Sequence, residues 1–336
     1  MKSRFLPLTA TVIVFAALYL FGWARFPAFG TTRVIGNLLT DQAFLGIAAF
    51  GMTFVILSGG IDLSVGSVIA FVGVFCALML RQTELHPLVV FAMALAIGTL
   101  FGATMGAIIY YFKIPAFIVT LSGMFLARGM CYMLTTESIP ITHPFYKEIS
   151  NLFIRFPDNG RLRFIGMILL LVLVVCIFIA HYTRFGRNVY ALGGSDTAAL
   201  LLGVPVGATT IRVHALSSFL AALAGVVYSL YTAAGYPLAT VGVELDAIAA
   251  VVIGGTLLTG GVGYVVGTFI GLLIQGVIQT YITFDGSLNS WWTKIVIGAL
   301  LFTFIALQKF LSTRGAMLGM RGKTKVPNPS AAAPAT

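Results

Sequence analysis

The chain has 336 residues and a formal net charge of +10, yet only 9% of it is charged, 59% is hydrophobic and the mean hydropathy is +1.02. This composition excludes a soluble globular domain, and the basic excess reads as loop charge that sets topology and meets anionic lipid headgroups, with no argument for nucleic-acid binding. Lipid offers no hydrogen-bond partner, and the apolar runs are continuous rather than alternating, so the fold class is an all-α membrane bundle.

Crossing a hydrocarbon core of ~30 Å takes a helix of about 20 apolar residues. Such runs predict ten spans, over residues 5–22, 38–57, 64–80, 88–111, 115–134, 164–181, 213–234, 244–259, 263–284 and 291–309. The first follows Lys2 and Arg4, as in a signal peptide, but "LFGWARFPAFG" offers no A-x-A cleavage site and the segment is read as a retained helix. Between the second and third spans lies "LSGGIDLSVGS". Gly59 and Gly60 suit the left-handed conformation that ends a helix, and Asp62 or Ser64 suits acceptance of free N–H groups at the start of the next. Asp62 is therefore expected to cap, to be paired or to lie near water, either in a plain turn or in a mid-membrane break. Thr53, Ser58, Gly59, Gly60, Asp62, Ser64 and Ser67 are the candidates for lining or gating a solute route.

Cys76, Cys131 and Cys176 fall inside proposed spans, where they act as small apolar side chains, so neither a disulfide framework nor a metal site is expected. "GTLFGATMGAII", Gly98–Ile109, resembles "GTFIGLLIQGVI", Gly267–Ile278. The pair reads either as a duplication, with two inverted five-helix repeats, or as the small-residue spacing of any tight bundle. Glu244 and Asp246 open the eighth span, where they cap it or face a pathway. Arg128 and Lys294 are expected to snorkel or pair with acids. Tyr281, Phe284, Trp291 and Trp292 gather near Asp285 and Asn289, either as an interfacial aromatic belt or as an entrance where a solute stacks. "GKT" at Gly322–Thr324 is no P-loop, because Met317 stands where the first glycine must be. Residues 1–312 form the polytopic domain, and 313–336 read as a basic, disordered tail.

Counting Lys and Arg in loops favours the N-terminus inside. Lys2, Arg4, Lys113, Arg184, Arg187, Arg212, Lys309, Arg314, Arg321, Lys323 and Lys325 then share one side, with both termini cytoplasmic.

Three stretches carry a resemblance: "FVILSGGIDLSVGSVIAFVG", "FGRNVYALGGSDTAALLLGV" and "GVELDAIAAVVIGGTLLTGGVGYVVGTFIG". They are similar to the permease subunits of bacterial ABC importers of the ribose, xylose and galactose class, with the likeness running from about residue 5 to residue 310. "LTDQAFLGIAAFGMTFVILSGGIDLSVGS", "ESIPITHPFY" and "SLNSWWTKI" are similar to galactofuranose permeases in particular. Ser195 replaces the asparagine usual after "ALGG", and Gln275 takes the place of the third glycine of the repeated motif.

The resemblance implies an inner-membrane subunit with no covalent chemistry of its own. Its partners would be a cytoplasmic ABC ATPase that binds ATP and Mg, a periplasmic sugar-binding protein and a second, related permease. It further implies that the ATPase docks on a short helix within "SDTAALLLGVPV". The residues agree: Ser195 or Asp196 caps, Ala198–Leu202 favours helix, and Gly203 with Pro205 ends it. The face offered to the partner's groove is expected to be Ala198, Ala199, Leu202 and Val204. His143 and Tyr146, in the outer loop, are the expected contacts for the binding protein. A self-powered secondary transporter or facilitator is the alternative.

Overall fold

The computed structural model describes residues 6–289 and 291–321. The first half runs α1 (Leu6–Arg25), α2 (Thr32–Asp41), α3 (Ala43–Leu57), α4 (Val65–Gln82), α5 (Pro87–Phe112) and α6 (Ala116–Leu134). A loop region follows with α7 (Pro144–Ser150) and the β2–β3 hairpin (Phe153–Arg155 with Arg161–Arg163). The second half contains α8 (Phe164–Tyr182), α9 (Arg184–Gly194), α10 (Asp196–Leu201), α11 (Val206–Thr232), α12 (Val243–Ile253), α13 (Val265–Asp285) and α14 (Trp291–Arg321). A two-residue pairing of β1 (Ile139–Pro140) with β4 (Ala234–Gly235) ties the two halves together.

A helix that is apolar all round belongs in the middle of a bundle. α3 is the case in point: every residue except Phe44 is buried, under α8, α11, α12 and α13. The glycine stripes allow this density. A Cβ at Gly98 would stand 2.6 Å from the Ala222 methyl, and one at Gly106 would stand 2.8 Å from the Ile211 Cα, so α5 lies backbone-close on α11. Gly267 and Gly271 do the same for α13 against the Gly254 and Ala250 carbonyls of α12. Outward, Leu100, Phe125, Leu171 and Phe178 are exposed, an apolar surface that suits lipid.

Among the described residues, seven helices are long and apolar enough to span, or eight when α2 and α3, bent by 57° at Gln42, count as one. The expected span over 244–259 is not there as such. α12 has 11 residues, about 16 Å at 1.5 Å per residue, and stops where Gly255 turns to φ +90°. The chain then passes through a loop with positive φ at Gly260, Gly261 and Gly263 before α13 begins. In α14 the apolar portion is Trp291–Ala306. That helix continues to Arg321, into the region expected as tail; residues 322–336, with the "GKT" stretch, lie outside the described residues.

The bundle has two distinct ends. One, the cap, gathers β1–β4, α7, the β2–β3 hairpin and the Pro27–Gly30 turn. His86 meets Phe145 there at 5.5 Å, and Tyr231 donates to Asp41 at 3.1 Å. The other, the foot, holds the 58–60 turn, Lys113–Pro115, α9, α10 and the 254–264 loop.

Candidate functional site

The polar break between α3 and α4 is built as its residues suggest, with one difference. Gly59 takes the left-handed conformation, φ +88°, whereas Gly60 does not and is instead wedged between Val55 and Ala116. From this turn the chain re-enters the bundle. Asp62 is fully buried, and its Oδ1 accepts from the Ser64 N–H at 3.0 Å and the Ser64 hydroxyl at 2.6 Å, while Oδ2 accepts from Ser217 Oγ at 2.8 Å. Ser217 lies eleven residues into α11, so the break reaches roughly 16 Å up from the foot. The break lies inside the bundle, with both carboxyl oxygens of Asp62 hydrogen-bonded at the N-terminus of α4, a position the helix dipole favours for an acidic side chain. Thr120 Oγ1, on α6, accepts from the Leu63 N–H and donates to the Ile61 carbonyl, both at 3.1 Å, and holds the extended segment.

The other route candidates divide by position. Thr53, Ser64 and Ser67 are buried within the subunit, and Thr53 Oγ1 bridges to Thr268 Oγ1 of α13 at 2.8 Å. Ser58, Gly59 and Gly60 line an open cavity of about 890 Å³ at the foot, together with Lys113, Asp196 and His214.

Three Gly-Gly pairs, distant in sequence, meet at that foot. The Gly261 N–H donates to the Leu57 carbonyl at 2.9 Å. A Cβ on Gly193 would run into the same carbonyl. A Cβ on Gly260 would stand 2.9 Å from the Gly59 nitrogen and 3.0 Å from the Gly193 Cα. Here backbone packs directly on backbone, joining α9 to the α3–α4 break and to the α12–α13 loop. Tyr190 adds a strut: its hydroxyl donates to the Gly263 carbonyl at 2.8 Å, and burial, with Tyr264 nearby, pushes its phenol up to about 12.

α10 hangs from this joint. Ser195 Oγ accepts from the Ala198 N–H at 3.2 Å, Asp196 Oδ1 accepts from the Thr197 N–H at 2.8 Å, and Gly203 closes the helix at φ +78°. The expected outer face needs correction. Ala199 is buried against its own chain and cannot enter a partner's groove, whereas Leu200, Leu201 and Leu202 are 64%, 84% and 81% exposed. Ala198 is exposed as well. Ala199 packs inward, while Leu200 and Leu201 of the last turn and Leu202 at the C-cap face out.

Toward the cap, Glu244 and Asp246 do not cap α12, whose N-cap is Gly242 with no side-chain cap bond. Asp246 pairs with Lys294 Nζ at 2.7 and 2.5 Å, and Gln275, in place of a third glycine, donates to the Asp246 carbonyl at 3.0 Å. Glu244 Oε2 is buried beside Gly66 in the first turn of α4 and has no hydrogen-bond partner among the described residues. Arg128 binds carbonyls rather than acids, donating to Pro237 and to Ala239, the latter at 2.9 Å.

The aromatic cluster separates. Tyr281 stacks on Phe21 at 5.6 Å and Phe284 packs on Phe29 at 5.8 Å, while Trp291 borders a polar cavity and Trp292 is half exposed. Tyr146 is not a docking residue. It is 4% exposed with its hydroxyl 3.0 Å from Ser229 Oγ, and burial raises its phenol. His143 Nδ1 accepts from the Phe145 N–H at 3.2 Å and caps α7. Among the described residues no three His, Cys, Asp or Glu side chains are grouped to hold a metal, and the three cysteines are buried free thiols.

Residues 34–305 match the family described as branched-chain amino acid transport system, permease component. The chain is 60% identical over 312 residues to the inner membrane ABC transporter permease protein YjfF of Escherichia coli K12, covering 93% of this chain and 94% of that one. It is 39% identical to the fructose import permease protein FruG of Bifidobacterium longum, covering 94% of each, and 40% identical to the ribose import permease protein RbsC of Escherichia coli K12, covering 80% of this chain and 84% of the other. No solved structure matches.

Proposed function

From the premise that this chain belongs to that family of transport-system permease components, we propose that it is the membrane subunit of an ABC importer that passes a monosaccharide inward. The single observation behind the coupling is the foot: a short helix that, with its C-cap, exposes three leucines and hangs on a glycine joint leading straight to the buried α3–α4 break. The foot faces the cytoplasm, as do both termini, and the leucines of α10 enter a groove on a partner ATPase that binds ATP and Mg. A second, related permease completes the pore, and a periplasmic binding protein delivers the sugar to the cap. Closure of the ATPases then rocks the two permeases between outward and inward access. The two glycine-striped segments are the matching helices of an inverted repeat.

Sugar is favoured over an amino acid by the relatives' names, which print fructose and ribose, although the family's description prints branched-chain amino acids. Among sugars we propose galactofuranose, on the likeness carried by residues 39–67, 137–146 and 287–295.

The test is uptake into proteoliposomes holding this chain with its companion permease, ATPase and binding protein. Sugar accumulation that requires all four and ATP supports the reading. Uptake by this chain alone on a proton or sodium gradient would establish the secondary-transporter alternative, and accumulation of leucine instead of sugar would overturn the substrate class.

A further inference from the structure

The connection from α11 to α12 does not stay at the cap. A Cβ on Gly235 would stand 2.5 Å from the Gly73 carbonyl of α4, and Thr240 Oγ1 donates to the Gly66 carbonyl at 2.7 Å. Residues 235–240 therefore descend along α4 from the level of Gly73 to that of Gly66, about 10 Å at 1.5 Å per residue. Gly66 lies in the first turn of α4, beside the Asp62 break that reaches Ser217 of α11. With 27 residues α11 is about 40 Å long, against a hydrocarbon core of ~30 Å, so the descending segment lies at the level of hydrocarbon.

The backbone of this segment is not helical and does not satisfy itself. The Ala239 N–H donates to the Tyr236 carbonyl at 3.0 Å, and Arg128 of α6 donates to the carbonyls of Pro237 and Ala239. Among the described residues no hydrogen bond engages the N–H or the carbonyl of Leu238 or of Val241. These two residues are 50% and 66% exposed, on an open face of the subunit shared with Tyr236. Thr240, a β-branched residue, is held at φ +59°, a conformation such side chains disfavour and folds retain mainly at working sites. Arg128 has no acidic partner among the described residues. Free peptide groups and a guanidinium without a counter-charge cannot face acyl chains; at this level they persist only where protein covers them or water wets them. The long helices α5, α8 and α13 cross the same level with their backbones closed.

We infer that residues 236–241, with Arg128 behind them, line the water-filled solute passage, on a face of this subunit that the second permease encloses. The inference rests on the importer reading above and adds to it where in this chain the passage runs. It does not run through the α3–α4 break, because Thr53, Asp62, Ser64 and Ser67 are sealed inside the subunit.

The test is thiol labelling of the assembled importer in membrane vesicles with a charged methanethiosulfonate; the three native thiols are buried and form the background. The comparison position is Leu171, 64% exposed on α8 and about 16 Å from the foot end of that helix. Leu238→Cys and Val241→Cys should react about tenfold faster or more than Leu171→Cys, because a thiol in hydrocarbon keeps its proton and only the thiolate reacts. Transported sugar should slow the reaction, and the attached label should stop uptake. Rates no faster than at Leu171→Cys, with and without ATP, would overturn the passage, as would fast labelling that leaves uptake intact. Uptake by the wild-type complex separates the two levels. If it imports sugar while neither position reacts, only the passage falls; if both positions react but the complex imports no sugar, the passage stands and the substrate reading falls.

Discussion

Asp62 carries three hydrogen bonds in a fully buried setting, and removal of the carboxylate strands donors rather than merely deleting contacts. Asp62→Ala leaves the Ser64 N–H and the Ser64 and Ser217 hydroxyls without their acceptor, at a cost of roughly 2–4 kcal/mol. Ser217→Ala removes one donor from a still-satisfied carboxylate and costs about 1 kcal/mol. Denaturant unfolding in detergent checks both, and equal losses would contradict the geometry. That Asp62 punctuates two helices is legible in "LSGGIDLSVGS", since glycines and an acidic residue in an apolar run have few other uses. The depth of the break is not, because it depends on Ser217, 155 positions away.

At the scale of elements the foot behaves as one piece. Gly193 has no room for a methyl against the Leu57 carbonyl, and the obstacle is backbone, which no rotamer change can move. Gly193→Ala is therefore expected to part α9 from the α3–α4 turn and to abolish sugar-stimulated ATP hydrolysis in the assembled complex, while Gly194→Ala, where a Cβ meets open space, leaves it intact. Hydrolysis that survives Gly193→Ala would remove the joint from the coupling. Tyr190 gives a pH signature. Its phenol titrates near 10 when unfolded and is pushed up to about 12 when folded, so its contribution is fully present below pH 10 and is lost as pH rises toward 12. Melting of the wild type should fall by on the order of 1–2 kcal/mol across that window, and Tyr190→Phe should show less of the decline. The capping and termination of α10 were readable at Ser195 and Gly203. Its outward face was not, because composition alone does not say which side of a six-residue helix meets its own chain.

For the molecule as a whole, composition settles an all-helical membrane bundle, and the long apolar runs locate its main helices. The discrepancies lie where a hydropathy window cannot tell a helix from a compact apolar loop. Residues 244–259 are hydrophobic enough to span, yet from residue 254 the run is turn, continued by Gly260 and Gly261, which pack on Gly193 and Leu57. Similarly, one run over 38–57 conceals the α2–α3 bend. Glycine stripes were legible as close-approach surfaces, but which helix each one meets follows from topology.

The brevity of α12 bears on biogenesis. An 11-residue helix that carries Glu244 and Asp246 in its first turn is too short for a translocation channel to release it sideways into the bilayer alone. Its entry must wait for α13 and for Lys294, so residues 243–294 are expected to integrate together, late in synthesis. Released chains truncated before residue 265 should leave residues 243–253 accessible to an aqueous thiol reagent at engineered cysteines, and full-length chains should shield them.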